Sequence, residues 1–131
     1  MVFPVIAVRD VEASVDFYVS KLGFGKAMTM PNEQGQTWFG IVSLADSNMG
    51  LMMDAECEHR GNGVVLMFYV ADDQDIDAVY ASVRANGATI TEEIEDKFWG
   101  DRVFTVSDPD GYVISICKTV RRVDPSEFGA A

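Results

Sequence analysis

The chain has 131 residues, 21 acidic against 10 basic, and a formal net charge of -11. That balance argues against nucleic acid and anionic membranes as partners, because phosphate contacts need clustered Lys and Arg. One domain, or two small modules fused, fits this length, and such a chain buries roughly two thirds of its unfolded surface, so it needs no disulfide staple.

Residues 2–8 form an apolar, strand-like run that ends at Arg9 and Asp10. This run is too short for a signal sequence and lacks a basic start, and the longest apolar run, residues 64–71, is too short to span a bilayer. Asp10 is placed to cap a helix over residues 11–22, where Val11, Val15, Tyr18, Val19 and Leu22 recur at helical spacing and Gly23 supplies the left-handed residue just past the end. Residues 25–30 read as a strand and 32–36 as a polar loop. Residues 36–44 and 49–54 read as a hairpin around 45–48.

The same order of signals then recurs. Residues 64–70 form a strand, Asp72 or Asp73 a cap, and residues 76–86 a helix with Ile76, Val79, Tyr80 and Val83 on one face; Gly87 stands 64 positions after Gly23. Three strands follow at 89–95, 102–107 and 112–118. The last two are joined by Asp108-Pro109-Asp110-Gly111, in which Pro presets φ, Asp caps and Gly accepts positive φ.

The expected fold is therefore α+β: two tandem βαβββ modules forming a curved mixed sheet around a cleft, with helices on the outer face. The modules span residues 1–54 and 64–119, joined by a polar linker at 55–63 and followed by a tail at 120–131. Cys57 and Cys117 are the only cysteines, which favours a reduced cytoplasmic setting and leaves a disulfide between them open. His59, the only histidine, falls in the linker and reads as a solvated loop residue.

These paired modules, with Asp16-Phe17-Tyr18, Leu22-Gly23-Phe24, and Trp99-Gly100 leading to Asp108-Pro109-Asp110-Gly111, resemble the vicinal oxygen chelate superfamily, which includes glyoxalase I, extradiol dioxygenases, and fosfomycin and bleomycin resistance proteins. Metal-dependent members hold their ion through His, Glu or Gln on the first and last strands of each module. Carried onto this chain, the resemblance puts Phe3, Met52, Val65 and Ser115 at those places, with Asp54 as the alternative to Met52. Zn, Mn, Fe or Ni in such sites is held by imidazole and carboxylate, which Phe, Val and Met do not supply, so no metal or other cofactor is expected.

Strand alternation from Val65 turns Met67 and Tyr69 into the cleft and Leu66, Phe68 and Val70 toward the helix. Pairing Ser107 with Tyr112 across the turn sets Phe104 opposite Ser115 and Arg102 opposite Cys117, so Arg102 is expected in the cleft. Trp38 or Phe39 joins from the first hairpin, and Phe98 and Trp99 precede Arg102. The candidate ligand-binding set is then Trp38, Phe39, Met52, Met67, Tyr69, Phe98, Trp99, Arg102, Phe104 and Ser115, an aromatic, methionine-rich pocket.

The opening residues, Phe3-Pro4-Val5-Ile6-Ala7-Val8-Arg9-Asp10, are similar to the start of bleomycin resistance proteins. Those are metal-free dimers that sequester a cationic glycopeptide drug between subunits, with aromatic rings stacking on its flat tail. The resemblance implies a homodimer that sequesters a flat, cationic small molecule without catalysis. Pro4 marks either the hinge of an exchanged N-terminal strand or the start of an edge strand. The alternative is a lyase, isomerase or dioxygenase of the same superfamily. A metal-dependent one needs an ion; a metal-independent one would use Arg102 to hold a carboxylate and Tyr69 or Cys117 as acid or base.

Overall fold

The computed structural model describes residues 2–54, 64–124 and 126; the expected linker, with Cys57 and His59, lies outside the described residues. The elements run β1 (Val5–Val8), α1 (Val11–Asp16), β2 (Gly25–Pro31), β3 (Thr37–Leu44) and β4 (Ser47–Met53) in the first module. The second has β5 (Val65–Tyr69), α2 (Ile76–Ala85), β6 (Thr89–Asp96), β7 (Asp101–Ser107) and β8 (Val113–Thr119). Each module builds one four-stranded mixed sheet, ordered β1-β4-β3-β2 and β5-β8-β7-β6, and neither sheet closes on itself. In both, the first strand pairs in parallel with the last and the other pairs are antiparallel. The expected α+β repeat is present, with one mixed sheet per module.

Asp10 begins α1 as expected: its backbone is extended and its carboxylate accepts the Ala13 N–H at 3.1 Å. The cap of α2 is Asp75, which accepts from the N–H groups of Asp77 and Ala78, and not Asp72 or Asp73. Those two residues sit in a turn tied by Gln74 N–H to the Ala71 carbonyl and by Ala71 N–H to the Gln74 side chain. Three carboxylates within four positions satisfy the same capping preference, and the turn decides which one meets the helix.

Past Asp16 the helix widens into a π-helical turn, Phe17–Lys21, marked by the Leu22 N–H bonding five residues back to Phe17. The extra residue per turn lets two consecutive aromatics face inward. Phe17 and Tyr18 are both buried, with their rings perpendicular and 5.3 Å apart.

Helix-facing positions alternate along the central strands, Val42 and Leu44, Met49 and Leu51, Phe104 and Val106, Ile114 and Ile116, and along the edge strand β1, Ile6 and Val8. They join α1, Ile76 and Val83 in one core that spans both modules. Each such side chain taken from water is worth about 1.5–3 kcal/mol. The modules meet through Phe24 and Phe68, with ring centroids 5.0 Å apart, and through Tyr112, which donates to the Ala7 carbonyl at 2.9 Å. Arg9 adds an exposed ion pair to Asp110 at 3.2 Å. Among the described residues no helix is long and apolar enough to cross a membrane.

Candidate ligand site

With the helix-facing residues accounted for, the other face of each sheet turns away from the helices. On the first sheet it carries Val5, Ala7, Phe39, Ile41, Gly50 and Met52, which stand next to one another in the ladder. Phe39 lies across Gly50, where an added Cβ would come within 3.0 Å of the ring, so the glycine makes room for the aromatic. The Trp38 ring is 5.5 Å from that of Phe39. Near the start of β1, a cavity of about 280 Å³ opens between Phe3, Pro4, the β3–β4 turn and Leu66, Met67 and Phe68 of β5.

The second sheet's open face carries Met67 beside Ser115 and Thr105, and Tyr69 beside Cys117 and Val103. Met67 and Tyr69, at the middle and the end of the edge strand β5, remain 46% and 43% exposed, whereas Val103, Thr105, Ser115 and Cys117 on the two central strands of this face are buried. At its end, Phe98 and Trp99 occupy the β6–β7 turn, with rings perpendicular and 5.1 Å apart.

Two of the expected cleft residues are elsewhere. Ser107 pairs with Val113, not Tyr112, because Asp108 and Tyr112 close the turn themselves through the Asp108 N–H and the Tyr112 carbonyl. A register moved by one residue reverses every side chain beyond it. Phe104 accordingly pairs with Ile116, fully buried, with its ring 5.0 Å from Tyr80 of α2. Arg102 pairs with Lys118 and points to the helix side, where it binds Asp77 at 2.8 Å and Asp96 at 3.1 Å. It does not reach the open face, so the metal-independent enzyme reading loses its carboxylate anchor.

In their place the correct register brings two polar groups that the sequence reading passed over. Asp101, 4% exposed, accepts three hydrogen bonds: from Tyr69 Oη at 2.6 Å, Trp99 Nε1 at 3.1 Å and Thr119 Oγ1 at 2.8 Å. One buried carboxylate therefore fixes both the phenol and the indole that face the ligand side. Further along, Thr105 Oγ1 donates to Glu92 Oε2 at 2.9 Å and lies 3.0 Å from Ser115 Oγ. Asp101 follows Trp99-Gly100 directly, and Thr105 stands opposite Ser115 once the turn is counted correctly, which is the signal that would have revealed them.

The bond to Asp101, then burial, pushes the Tyr69 phenol up to about 12. Burial, with Asp101 adding repulsion, pushes the Cys117 thiol up to about 12 as well. Both stay protonated near neutrality, and neither is tuned to exchange a proton there.

The metal places suggested by the resemblance fall at the start of β1 and on the open faces, and they hold an aromatic ring, a thioether, a branched alkyl group and one hydroxyl: Phe3, Met52, Val65 and Ser115. Among the described residues no three His, Cys, Asp or Glu side chains converge as an ion-binding group. This donor set does not fit the divalent ion of the metal-dependent branch.

Two βαβββ modules joined through one core, each with a sheet face turned away from the helices and edged by aromatics, define the class of fold. The chain belongs to the glyoxalase/bleomycin resistance protein/dioxygenase superfamily, whose family model matches residues 2–116. An uncharacterised protein of Mycobacterium bovis, Mb0911c, is 28% identical over 138 residues, covering 98% of this chain and 89% of the relative. TnmS3, an antibiotic binding protein from Streptomyces sp. CB03234, is 26% identical with a TM-score of 0.67, covering 89% of this chain and 93% of that one. TioX from Micromonospora sp. ML1 shares the fold at a TM-score of 0.73 and 20% identity, over 90% of this chain and 97% of its own.

Proposed function

We propose that this protein binds and sequesters a flat small molecule on its open sheet faces and performs no chemistry on it. The observation that carries the reading is the Asp101 carboxylate, which locks Tyr69 and Trp99 into a rigid aromatic platform on a face left exposed. Rigid rings give contact area at little entropic cost. Support also comes from the donor-poor metal places, from the similarity to an antibiotic binding protein, and from the net charge of -11, which draws cationic groups.

The protein works as a homodimer in this reading. Val5, Met52, Val65 and Met67 are 40–57% exposed, and a second copy covers such an apolar surface and turns each open face into a cleft. Exchange of the N-terminal strand, hinged at Pro4, is one way to build it. The setting is cytoplasmic.

Trp38 and Trp99 are the only indoles, the first with its ring 5.5 Å from Phe39 and the second bonded to Asp101, so tryptophan quenching reports on a ligand near either. Titration with bleomycin and a thermal-shift screen of flat antibiotics test the reading: saturable quenching with a raised melting temperature and no turnover supports it. Conversion of the compound, or one transition-metal ion per chain by elemental analysis, moves the protein to the enzymatic branch. Sedimentation as a monomer at micromolar concentration removes the dimer.

A further inference from the structure

The direction of the hydroxyl protons on the second sheet limits what the site recognises. Thr105 has one hydroxyl proton, which it gives to Glu92 Oε2 at 2.9 Å, since a carboxylate only accepts. The 3.0 Å contact between Thr105 and Ser115 must therefore run from Ser115 to Thr105. Tyr69 gives its proton to Asp101 at 2.6 Å, and the indole N–H of Trp99 goes to the same oxygen at 3.1 Å. The backbone N–H groups of Thr105 and Ser115, on the two central strands, lie in the sheet ladder. The side-chain protons of Tyr69, Trp99 and Thr105 thus point to one of two carboxylates and that of Ser115 to the Thr105 hydroxyl, so these hydroxyl oxygens keep only lone pairs for a visitor.

Building on the sequestration reading, we propose that Tyr69 and Ser115, backed by Asp101 and Glu92, form an acceptor-only floor that selects planar ligands bearing an N–H donor. The ligand class is a protonated amine or amidine conjugated to an aromatic ring system, preferred over neutral or anionic molecules of the same shape. A carboxylate or sulfonate finds no side-chain donor here and faces the negative charges of the buried Asp101 and the exposed Glu92. A ring-borne ammonium or amidinium gains charge-assisted bonds to the hydroxyl oxygens while its face stacks on Trp99. Glu92 and Thr105 act as positioning residues: they hold the Ser115 proton away from the ligand.

Three probes of one shape test this by tryptophan quenching: 9-aminoacridine as the cationic donor, acridine as the neutral ring, and 9-anthracenecarboxylate as the anion. The expected order is 9-aminoacridine tightest, by roughly tenfold to a hundredfold over acridine, as for hydrogen bonds to charged groups. Glu92→Gln changes the net charge by one, and Ser115→Ala leaves it unchanged. Both should narrow the preference severalfold, and the melting temperature with far-UV circular dichroism reports that the variants are folded. Equal affinity for the three probes, or a preference untouched by either substitution, overturns the acceptor-only floor and leaves sequestration standing. Absence of quenching by every probe at saturating concentration overturns both.

Discussion

Tyr18 and Asp108, 90 positions apart, share a 2.7 Å hydrogen bond buried on both sides. Asp108 holds its own turn through Oδ1, which accepts the N–H groups of Asp110 and Tyr112 at 2.9 and 2.8 Å, and holds the first module's helix through Oδ2. Burial raises the pKa of Asp108, and its hydrogen bonds oppose the rise. The turn that joins β7 to β8 is thus also the fastening of the two modules.

Tyr18→Phe removes the donor and leaves a buried carboxylate oxygen without it. The expected loss is about 1–3 kcal/mol in urea unfolding. A change under 0.5 kcal/mol, roughly that of an ordinary surface site, would show that the bond does not hold the modules together.

Alkaline stability tests Tyr69. Its folded pKa is raised from 10.0 to about 12, so its contribution is complete below pH 10 and is lost as pH rises through about 12. Melting temperatures of the parent and Tyr69→Phe should converge across that window and stay separated below it. A constant gap from pH 9 to about 12 would mean that the phenol is not tied to Asp101.

The β3–β4 turn holds Ala45 at φ 51°, where a Cβ is strained. Ala45→Gly removes that strain, worth about 1–2 kcal/mol, against the extra chain entropy of glycine, about 0.5–1 kcal/mol. A net gain of about 0.5–1 kcal/mol is expected in thermal or urea unfolding, and a loss would contradict the turn geometry.

Gly100, at φ 100°, passes so close to the tail that an added Cβ would come 2.5 Å from the Arg121 carbonyl and 2.8 Å from Val123. Its own carbonyl accepts the N–H groups of Val120 and Arg121 at 2.9 and 3.1 Å. Gly100→Ala should cost about 1–3 kcal/mol and shift the emission of Trp99, its neighbour. Unchanged emission and stability would show that the tail does not pack there.

Arg102→Gln checks the hairpin register. With the guanidinium bound to Asp77 and Asp96 on the helix side, affinity for any cleft ligand should stay within twofold of the parent. A tenfold change would return Arg102 to the ligand face.

Much of the architecture is legible in the chain itself. The helix stripes of Val11, Val15, Tyr18 and Leu22 and of Ile76, Val79, Tyr80 and Val83, and the left-handed glycines at 23 and 87, follow from periodicity and backbone sterics that act over a few residues. So does the repetition of the module, and with it the fold. The residue types at the suggested metal places are likewise a property of the sequence, because side-chain chemistry does not depend on how the chain is arranged.

Tertiary structure decided which way β7 faces. Asp108 and Tyr112 pair across the turn, moving the register by one residue and sending Arg102 and Phe104 to the helix side while Thr105 comes beside Ser115. It also decided that Asp75 caps α2 and that Asp101 draws in Tyr69 and Trp99 from 32 and 2 positions away. These outcomes depend on distances between segments that local propensity does not encode: several residues satisfy the same local preference, and only packing against the rest of the molecule selects among them.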